Sequence, residues 1–494
     1  MVLLLTGHRS LSAQATPAVE AIEQSFEKLL SAEDLSDAFW GIRVVNLETG
    51  AALFSQHQEK NFVPASNLKL FTSAAALDLL GPNFRYETSL YARGTIRGDT
   101  LIGDLIVKGS GDPSIGGRFT GGDRTRTFRQ WADSLRAHGI HRITGHIIGD
   151  DRIFDQETLG TGWSWDDLTY YYAAPVSGLS YNENCIDVFI RSQQIGQRAT
   201  VSWRPYNTDY VSIQNNTVTI PREASLDEGY HRRMDSNQIR LYSRVPAGRI
   251  DTESLTIHNA TRYFTHVFRE TLHRSGLQVD GRALDIDDTS DSLTYADDRN
   301  LRRLATYRSP PLHELVQVLN KKSQNLYADH LFKTLGVHAR LPSNAGDRGT
   351  FAAGEGAVKM FLADVGIDTA RVQLADGSGL SRQNLVTPLA TTRLLSALWH
   401  HPVRQTTKAF TESLPLGGVD GTLEFRFVQS PARGNVRAKT GYLSNVRSLS
   451  GFVTTRDGTP LAFSIFCNNY TVDTDRVDHV QNTMVSRLTD LQFP

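Results

Sequence analysis

Three short groups of residues have the types and spacing to do chemistry. The first is Ser66-Asn67-Leu68-Lys69, an S-x-x-K. It stands where Pro64 precedes and a long apolar segment follows. If that segment is helical, one turn separates Ser66 from Lys69 and both side chains lie on one face. A serine hydroxyl is a weak nucleophile until a neighbouring base removes its proton. Lys69 can be that base only when neutral, so its pKa must fall through burial or a nearby cation. A serine at a helix start also lies beside unpaired backbone N–H groups, which favour developing negative charge.

The second group is Ser323-Gln324-Asn325, between two predicted helices. A loop serine can relay a proton, and a loop asparagine can orient a substrate amide. The third is Lys439-Thr440-Gly441, followed by Tyr442, on a predicted strand near the C-terminus. A cation and a hydroxyl on a strand suit a terminal carboxylate. Gly441 lets a substrate approach the backbone. Lys439 is also expected to depress the pKa of Lys69 by its charge. Each group alone is commonplace: a helix-start serine with a solvated lysine, an N-cap, a surface turn. Their order and contexts make the set specific.

The elements that must position these groups are legible as follows. Glu20 to Leu30 reads as a helix with Ala21, Ile22, Phe26, Leu29 and Leu30 on one face. Trp40 to Asn46 and Ala51 to Phe54 read as strands around the turn Glu48-Thr49-Gly50. Ser66 to Leu80 reads as a helix stopped by Gly81-Pro82. From about residue 90 to 290 short β-like runs dominate, at 101–108, 140–148, 185–190, 211–220 and 238–245. Helices return at 312–320, 326–335, 354–365 and 388–400, and three apolar strands follow near 437–443, 449–454 and 461–467. The pattern is α/β, then a β-rich insertion, then α/β again, and strands from both ends can share one sheet.

S-x-x-K, an S-x-N middle element and K-T-G, in that order, mark the penicillin-binding proteins and β-lactamases. Ser66 and Ser323 are separated by more than a typical whole domain. The chain therefore resembles the penicillin-binding protein 4-type D-alanyl-D-alanine carboxypeptidases/endopeptidases, the low-molecular-mass class C penicillin-binding proteins. These carry β-rich domains nested at this point. Further similar segments are Val107 to Pro113, Gly149-Asp150-Asp151 with Phe154-Asp155, Ala174 to Ser180 with Asn184, Asp376 to Arg382, and Gly418 to Leu423.

The resemblance implies an α/β (α+β) catalytic domain of penicillin-binding-protein/β-lactamase type with a large β-rich insertion of one or two domains. The catalytic domain would take residues 16–90 and 290–494, the insertion 91–289. It implies Ser66 as nucleophile, Lys69 as base, Ser323 and Asn325 as proton relay and substrate holder, and Lys439 and Thr440 as carboxylate binders. The backbone N–H groups of Ser66 and Tyr442 would form the oxyanion hole. Family members often have a smaller residue at the position of Tyr442, so the cleft is expected to be narrower here. The implied partners are peptidoglycan stem peptides and β-lactam antibiotics, with no cofactor and no metal. Rival readings are a β-lactamase or esterase, against which the insertion argues, and a cell-wall scaffold, against which the intact motifs argue.

Composition sets outer limits. Hydrophobic residues make up 39% and charged residues 21%, with a formal net charge of −1. That balance gives no reason to expect a nucleic-acid partner. Residues 1–15 read as the remnant of a signal peptide. Val2 to Leu5 are apolar, His8 and Arg9 are basic, and Ala13-Gln14-Ala15 resembles a cleavage site. Export to the periplasm is expected, as a soluble or loosely membrane-associated protein. No other stretch approaches the roughly 20 apolar residues of a membrane-spanning helix. Cys185 and Cys467 are expected to be ordinary buried thiols, with a disulfide left open. His400-His401 closes a predicted helix, where a cation suits the dipole. Gly109-Ser110-Gly111 lacks the G-K-[ST] of a phosphate loop. Trp163, Trp165 and Tyr170 to Tyr172 are expected to pack the insertion rather than to stack on glycan.

Overall fold

The computed structural model describes residues 17–289, 295, 301–339 and 348–493; the proposed signal remnant lies outside them. The two ends of the chain meet in one antiparallel sheet. Its strand order is Arg437–Leu443, Val446–Thr454, Pro460–Asn468, Phe39–Asn46, Ala52–Gln56. Phe39–Asn46 pairs along its whole length with Pro460–Asn468, from Phe39 opposite Asn468 to Asn46 opposite Leu461. Pro460–Asn468 is buried at every residue but the first. A strand covered on both faces needs a largely apolar run rather than alternation. Leu461 to Cys467 supplies one, broken only at Ser464, whose buried hydroxyl accepts from Ser450 Oγ at 2.9 Å.

On one face the helices Pro17–Leu30 and Thr474–Thr489 bring Ile22, Phe26, Val477, Val480 and Met484 against Ile42, Val44 and Phe463. On the other, a helical layer gathers around Leu68–Leu79, whose residues Leu68 to Leu77 are all buried. That helix contacts Leu312–Lys321, Asn325–His338, Phe351–Asp364, Pro388–Trp399 and Arg404–Ser413. A helix enclosed this way must be apolar all round, which makes the lysine at its start exceptional.

The region between carries a seven-stranded sheet. Its strands Glu87–Arg97 and Leu301–Arg308 are antiparallel neighbours, so the chain enters and leaves it side by side. Smaller sheets are nested further in: Cys185–Arg191 with Thr200–Arg204 and Ile250–Thr256, then Ser212–Asn215 with Gln238–Leu241 and Tyr230–Arg232.

Here the structure corrects the sequence reading in two ways. The region holds two helices, Arg126–Ala137 and Ala260–Arg274. Phe128, Trp131, Phe264 and Phe268 on them are buried in the insertion's core. Phe128, Trp131, Ala132 and Leu135 carry helical spacing, a signal lost among the surrounding short strands. Several expected strands are also broken. The run 140–148 splits into Arg142–Ile143 and Ile147–Asp150 around Gly145, where a Cβ would lie 2.4 Å from the Gly103 carbonyl oxygen. The run 211–220 splits into Ser212–Asn215 and Val218–Ile220.

Candidate active site

Ser66 does not lie in the α-helix itself. Ala65–Asn67 forms a tight 3-10 turn that leads into Leu68–Leu79. Ala65, immediately before it, sits at φ = 47°, an unfavourable left-handed conformation for a residue with a Cβ. The surroundings enforce it. The Ser448 hydroxyl donates to the Pro64 carbonyl at 2.7 Å, and the Asn67 amide donates to the Lys439 carbonyl at 2.9 Å. Gly379 presses from the other side; a Cβ there would lie 1.9 Å from the Ala65 carbonyl oxygen. Gly441 is equally constrained. Its Cβ would fall 2.1 Å from Ser448 Oγ and 3.1 Å from the Ser66 nitrogen, so only glycine lets this strand lie against the serine turn.

Lys69 is fully buried. Its Nζ donates to Ser66 Oγ at 2.9 Å, to Asn325 Oδ1 at 2.6 Å and to the Ser378 carbonyl at 2.6 Å. Two of these partners are carbonyl oxygens, which only accept. The Ser66 hydroxyl is the one that can also donate. Once neutral, the amine keeps its two N–H bonds for the carbonyls and turns its lone pair to Ser66. Burial lowers the Lys69 pKa to about 8, opposed by the charges of Asp329 and Asp376. The leading cause is therefore desolvation; the expected effect of Lys439 is not what drives it. At pH 7 this change raises the neutral share of the amine roughly 300-fold over an ordinary lysine.

Lys439 is also fully buried, and burial followed by the Lys69 charge holds its pKa well below the usual lysine range. Its Nζ donates to Ser323 Oγ at 2.8 Å and to the Thr440 carbonyl at 2.9 Å. Ser323 reaches it from a left-handed backbone, φ = 55°. The Thr440 hydroxyl donates to Thr422 Oγ1 at 2.8 Å. Asn325 uses its other amide atom on the insertion, donating to the Tyr172 carbonyl at 2.7 Å. All three groups thus converge: Ser66, Lys69 and Asn325 form one bonded set, and Ser323 and Lys439 form a second. Tyr442 points outward, 57% exposed, with the Arg447 guanidinium 5.4 Å from its ring centre.

Sequence reasoning missed the residues that present the Ser378 carbonyl to Lys69. Buried Asp376 accepts from the backbone N–H groups of Ser378 at 3.2 Å, Gly379 at 2.7 Å and Ser381 at 2.7 Å. It also accepts from Asn384 Nδ2 and Trp163 Nε1, both at 2.9 Å. Trp163 therefore ties the insertion to the Asp376 loop rather than only packing the insertion, while Trp165 is 69% exposed. Buried Asp329 accepts from the Gly377 N–H at 2.8 Å, and burial pushes its carboxyl well above the usual range. Asp376 stood inside a recognised motif, but nothing in its type distinguished a loop-organising carboxylate from a surface one.

The remaining candidates lie elsewhere. His401 pairs with Asp78 at 2.8 Å, and His400 bonds the Ser396 carbonyl of its own helix at 3.0 Å. Cys185 and Cys467 are free, buried thiols.

Residues 22–491 match the D-Ala-D-Ala carboxypeptidase 3 (S13) family. The chain belongs to that family. It is 30% identical over 479 residues to a D-alanyl-D-alanine carboxypeptidase of Actinomadura sp., covering 94% of this chain and 84% of that one. It is 30% identical over 416 residues to the D-alanyl-D-alanine carboxypeptidase DacB of Haemophilus influenzae, covering 82% and 80%. The crystal structure of penicillin binding protein 4 from Haemophilus influenzae superposes with a TM-score of 0.79 at 25% identity, over 94% of this chain and 99% of that one. The same protein complexed with a β-lactam superposes with a TM-score of 0.70 at 25% identity, over 93% and 98%. The fold is accordingly of the penicillin-binding-protein type, and family membership makes the chain a serine-type DD-peptidase. Among the described residues no helix is long and apolar enough to cross a membrane.

Proposed function

We propose that Ser66 is the nucleophile and Lys69 its general base. The observation that carries this is the 2.9 Å contact from Lys69 Nζ to Ser66 Oγ, with the amine's other two partners both obligate acceptors. Lys69 takes the Ser66 proton as Oγ attacks the carbonyl of the penultimate D-alanine. The backbone N–H groups of Ser66 and Tyr442 receive the developing oxyanion; the closeness of Gly441 to the Ser66 nitrogen supports that pairing. The C–N bond breaks, the leaving amine takes up a proton, and an ester on Ser66 remains. Ser323, bonded to Lys439, relays that proton, and Asn325 holds the substrate amide. Lys439 and Thr440 bind the terminal carboxylate. Water then attacks the ester, giving the shortened stem peptide and free Ser66.

The substrates in this reading are D-alanyl-D-alanine ends and D-alanyl-diaminopimelate cross-links of peptidoglycan, in the periplasm. A β-lactam acylates the same serine. The exposed Tyr442 ring stands at the edge of the strand that binds the carboxylate, where it narrows the approach. The two outer stretches act as one catalytic body, and the inserted sheet is taken to begin at Glu87 and end at Arg308, against limits of 91 and 289 read from sequence.

The test is release of free D-alanine from a stem pentapeptide ending in D-Ala-D-Ala. The expected result is one D-alanine per peptide, abolished by prior incubation with benzylpenicillin. Turnover untouched by penicillin, or rapid destruction of the penicillin itself, contradicts the reading.

A further inference from the structure

The insertion touches the catalytic groups at Trp163, at the Tyr172 carbonyl and at Glu183. The last has the most unusual backbone. Asn182, Glu183 and Asn184 sit at φ = 48°, 55° and 55°. Three successive left-handed residues with side chains are unfavourable, and such conformations persist where the surroundings over-determine them. Asn184 Nδ2 donates to the Pro175 carbonyl at 2.7 Å and to Ser180 Oγ at 2.9 Å, and Asn184 Oδ1 accepts from the Tyr181 N–H at 3.2 Å. Asn182 Nδ2 donates to the Cys185 carbonyl at 3.0 Å. The turn is thus locked by its asparagines, leaving Glu183 free to project.

Glu183 projects onto the Ser323 loop. Its Oε2 accepts from Gln324 Nε2 at 2.6 Å and from Arg118 Nη2 at 2.8 Å, while Oε1 accepts from Arg118 Nε. Gln324, the residue between Ser323 and Asn325, is buried. Its Oε1 accepts from the Leu326 N–H at 3.2 Å and caps the helix Asn325–His338. Both ends of this amide are therefore held. All the groups meeting Glu183 are donors, so only a carboxylate satisfies them at both oxygens. An amide would set one N–H against another.

We propose that Glu183 is a positioning residue for the reaction: a carboxylate on the insertion that, through Gln324, holds Ser323 against Lys439 and Asn325 against Lys69. The inference rests on the roles assigned above to Ser323 and Asn325. The insertion is on this account a working wall of the active site. Glu183 and Gln324 line a cleft of about 620 Å³, so substitution at either does not require the core to repack.

The test exchanges the two groups. Glu183→Gln and Gln324→Glu are each expected to lower the rate constant for acylation by benzylpenicillin roughly tenfold or more, within the hundredfold that a 1 Å misplacement can cost. The first confronts donor with donor, the second carboxylate with carboxylate. The double variant Glu183→Gln/Gln324→Glu restores a donor–acceptor pair between the two positions and keeps an acceptor for Leu326, though Arg118 Nη2 loses its acceptor at 183; it is expected to recover part of the loss. The pH profile supplies a readout that mere loosening of the fold does not move. Asn325 Oδ1 stabilises the charged form of Lys69, so loss of its register moves the acidic limb of acylation to lower pH. If Glu183→Gln does not fold, Glu183→Asp keeps both acceptor oxygens but shortens the reach, and the same loss and pH shift are expected there. Wild-type rates and an unmoved limb in a folded variant, or a double variant no faster than the slower single one, overturn the proposal. Wild-type protein that penicillin does not acylate would instead overturn the assignment of the site itself.

Discussion

Ser66→Ala is expected to lower hydrolysis of a D-Ala-D-Ala peptide by at least about 10⁴-fold, on the scale seen when a serine hydrolase loses its nucleophile. The rest of the site remains: the buried amine, the Ser323–Lys439 contact and the strand that lies against the turn. What disappears is the only atom that forms the covalent bond. Stability should change little. The hydrogen bond from Lys69 is worth about 1 kcal/mol, and Lys69 keeps its bonds to Asn325 and Ser378. The check is steady-state turnover beside a thermal melt. Loss of turnover with a melting temperature close to wild type is the predicted pair. Substantial turnover would mean that another group carries the chemistry.

Lys69→Met is expected to slow acylation by about 10²- to 10⁴-fold, the usual contribution of a general base. Methionine fills much of the same volume without a base. It leaves Asn325 Oδ1 and the Ser378 carbonyl without their lysine donor, so some loss of stability is expected as well. The wild-type pH profile separates the base from a structural role. Lys69 is active only when neutral, and burial brings its pKa down to about 8. Acylation should therefore rise about tenfold per pH unit below that value and level off above it. The variant should lack that limb. A wild-type profile flat from pH 6 to 9 would rule out Lys69 as the base.

The candidate groups could be picked out because chemistry constrains residue type and spacing together. Ser66 and Lys69 must be one turn apart, and Lys439-Thr440-Gly441 must lie on a strand. The loop serine could be placed from the helices on either side. The long separation of the first two groups announced the insertion. What was not legible is mostly backbone. The Ser378 and Tyr172 carbonyls that complete the bonds of Lys69 and Asn325 belong to residues whose side-chain types carry no such signal. Of the two sources expected for the lowered Lys69 pKa, burial or a nearby cation, burial leads, and the sequence could not rank them. Desolvation depends on how completely the helical layer closes around Leu68–Leu79, and no single neighbour encodes it. Asp376 and Asp329 show the same limit, since a buried carboxylate that organises a loop has the same letter as one facing water. Arg126–Ala137 and Ala260–Arg274 were overlooked because turn residues and short strands surround them.

The central claim is that an acyl-enzyme forms on Ser66. Peptide mass spectrometry after incubation with benzylpenicillin, on wild type and on Ser66→Ala, tests it most directly. One adduct on the wild-type peptide containing Ser66, and none on the variant, is the predicted result. An adduct on another residue, or none at all with the penicillin left intact, would contradict the account.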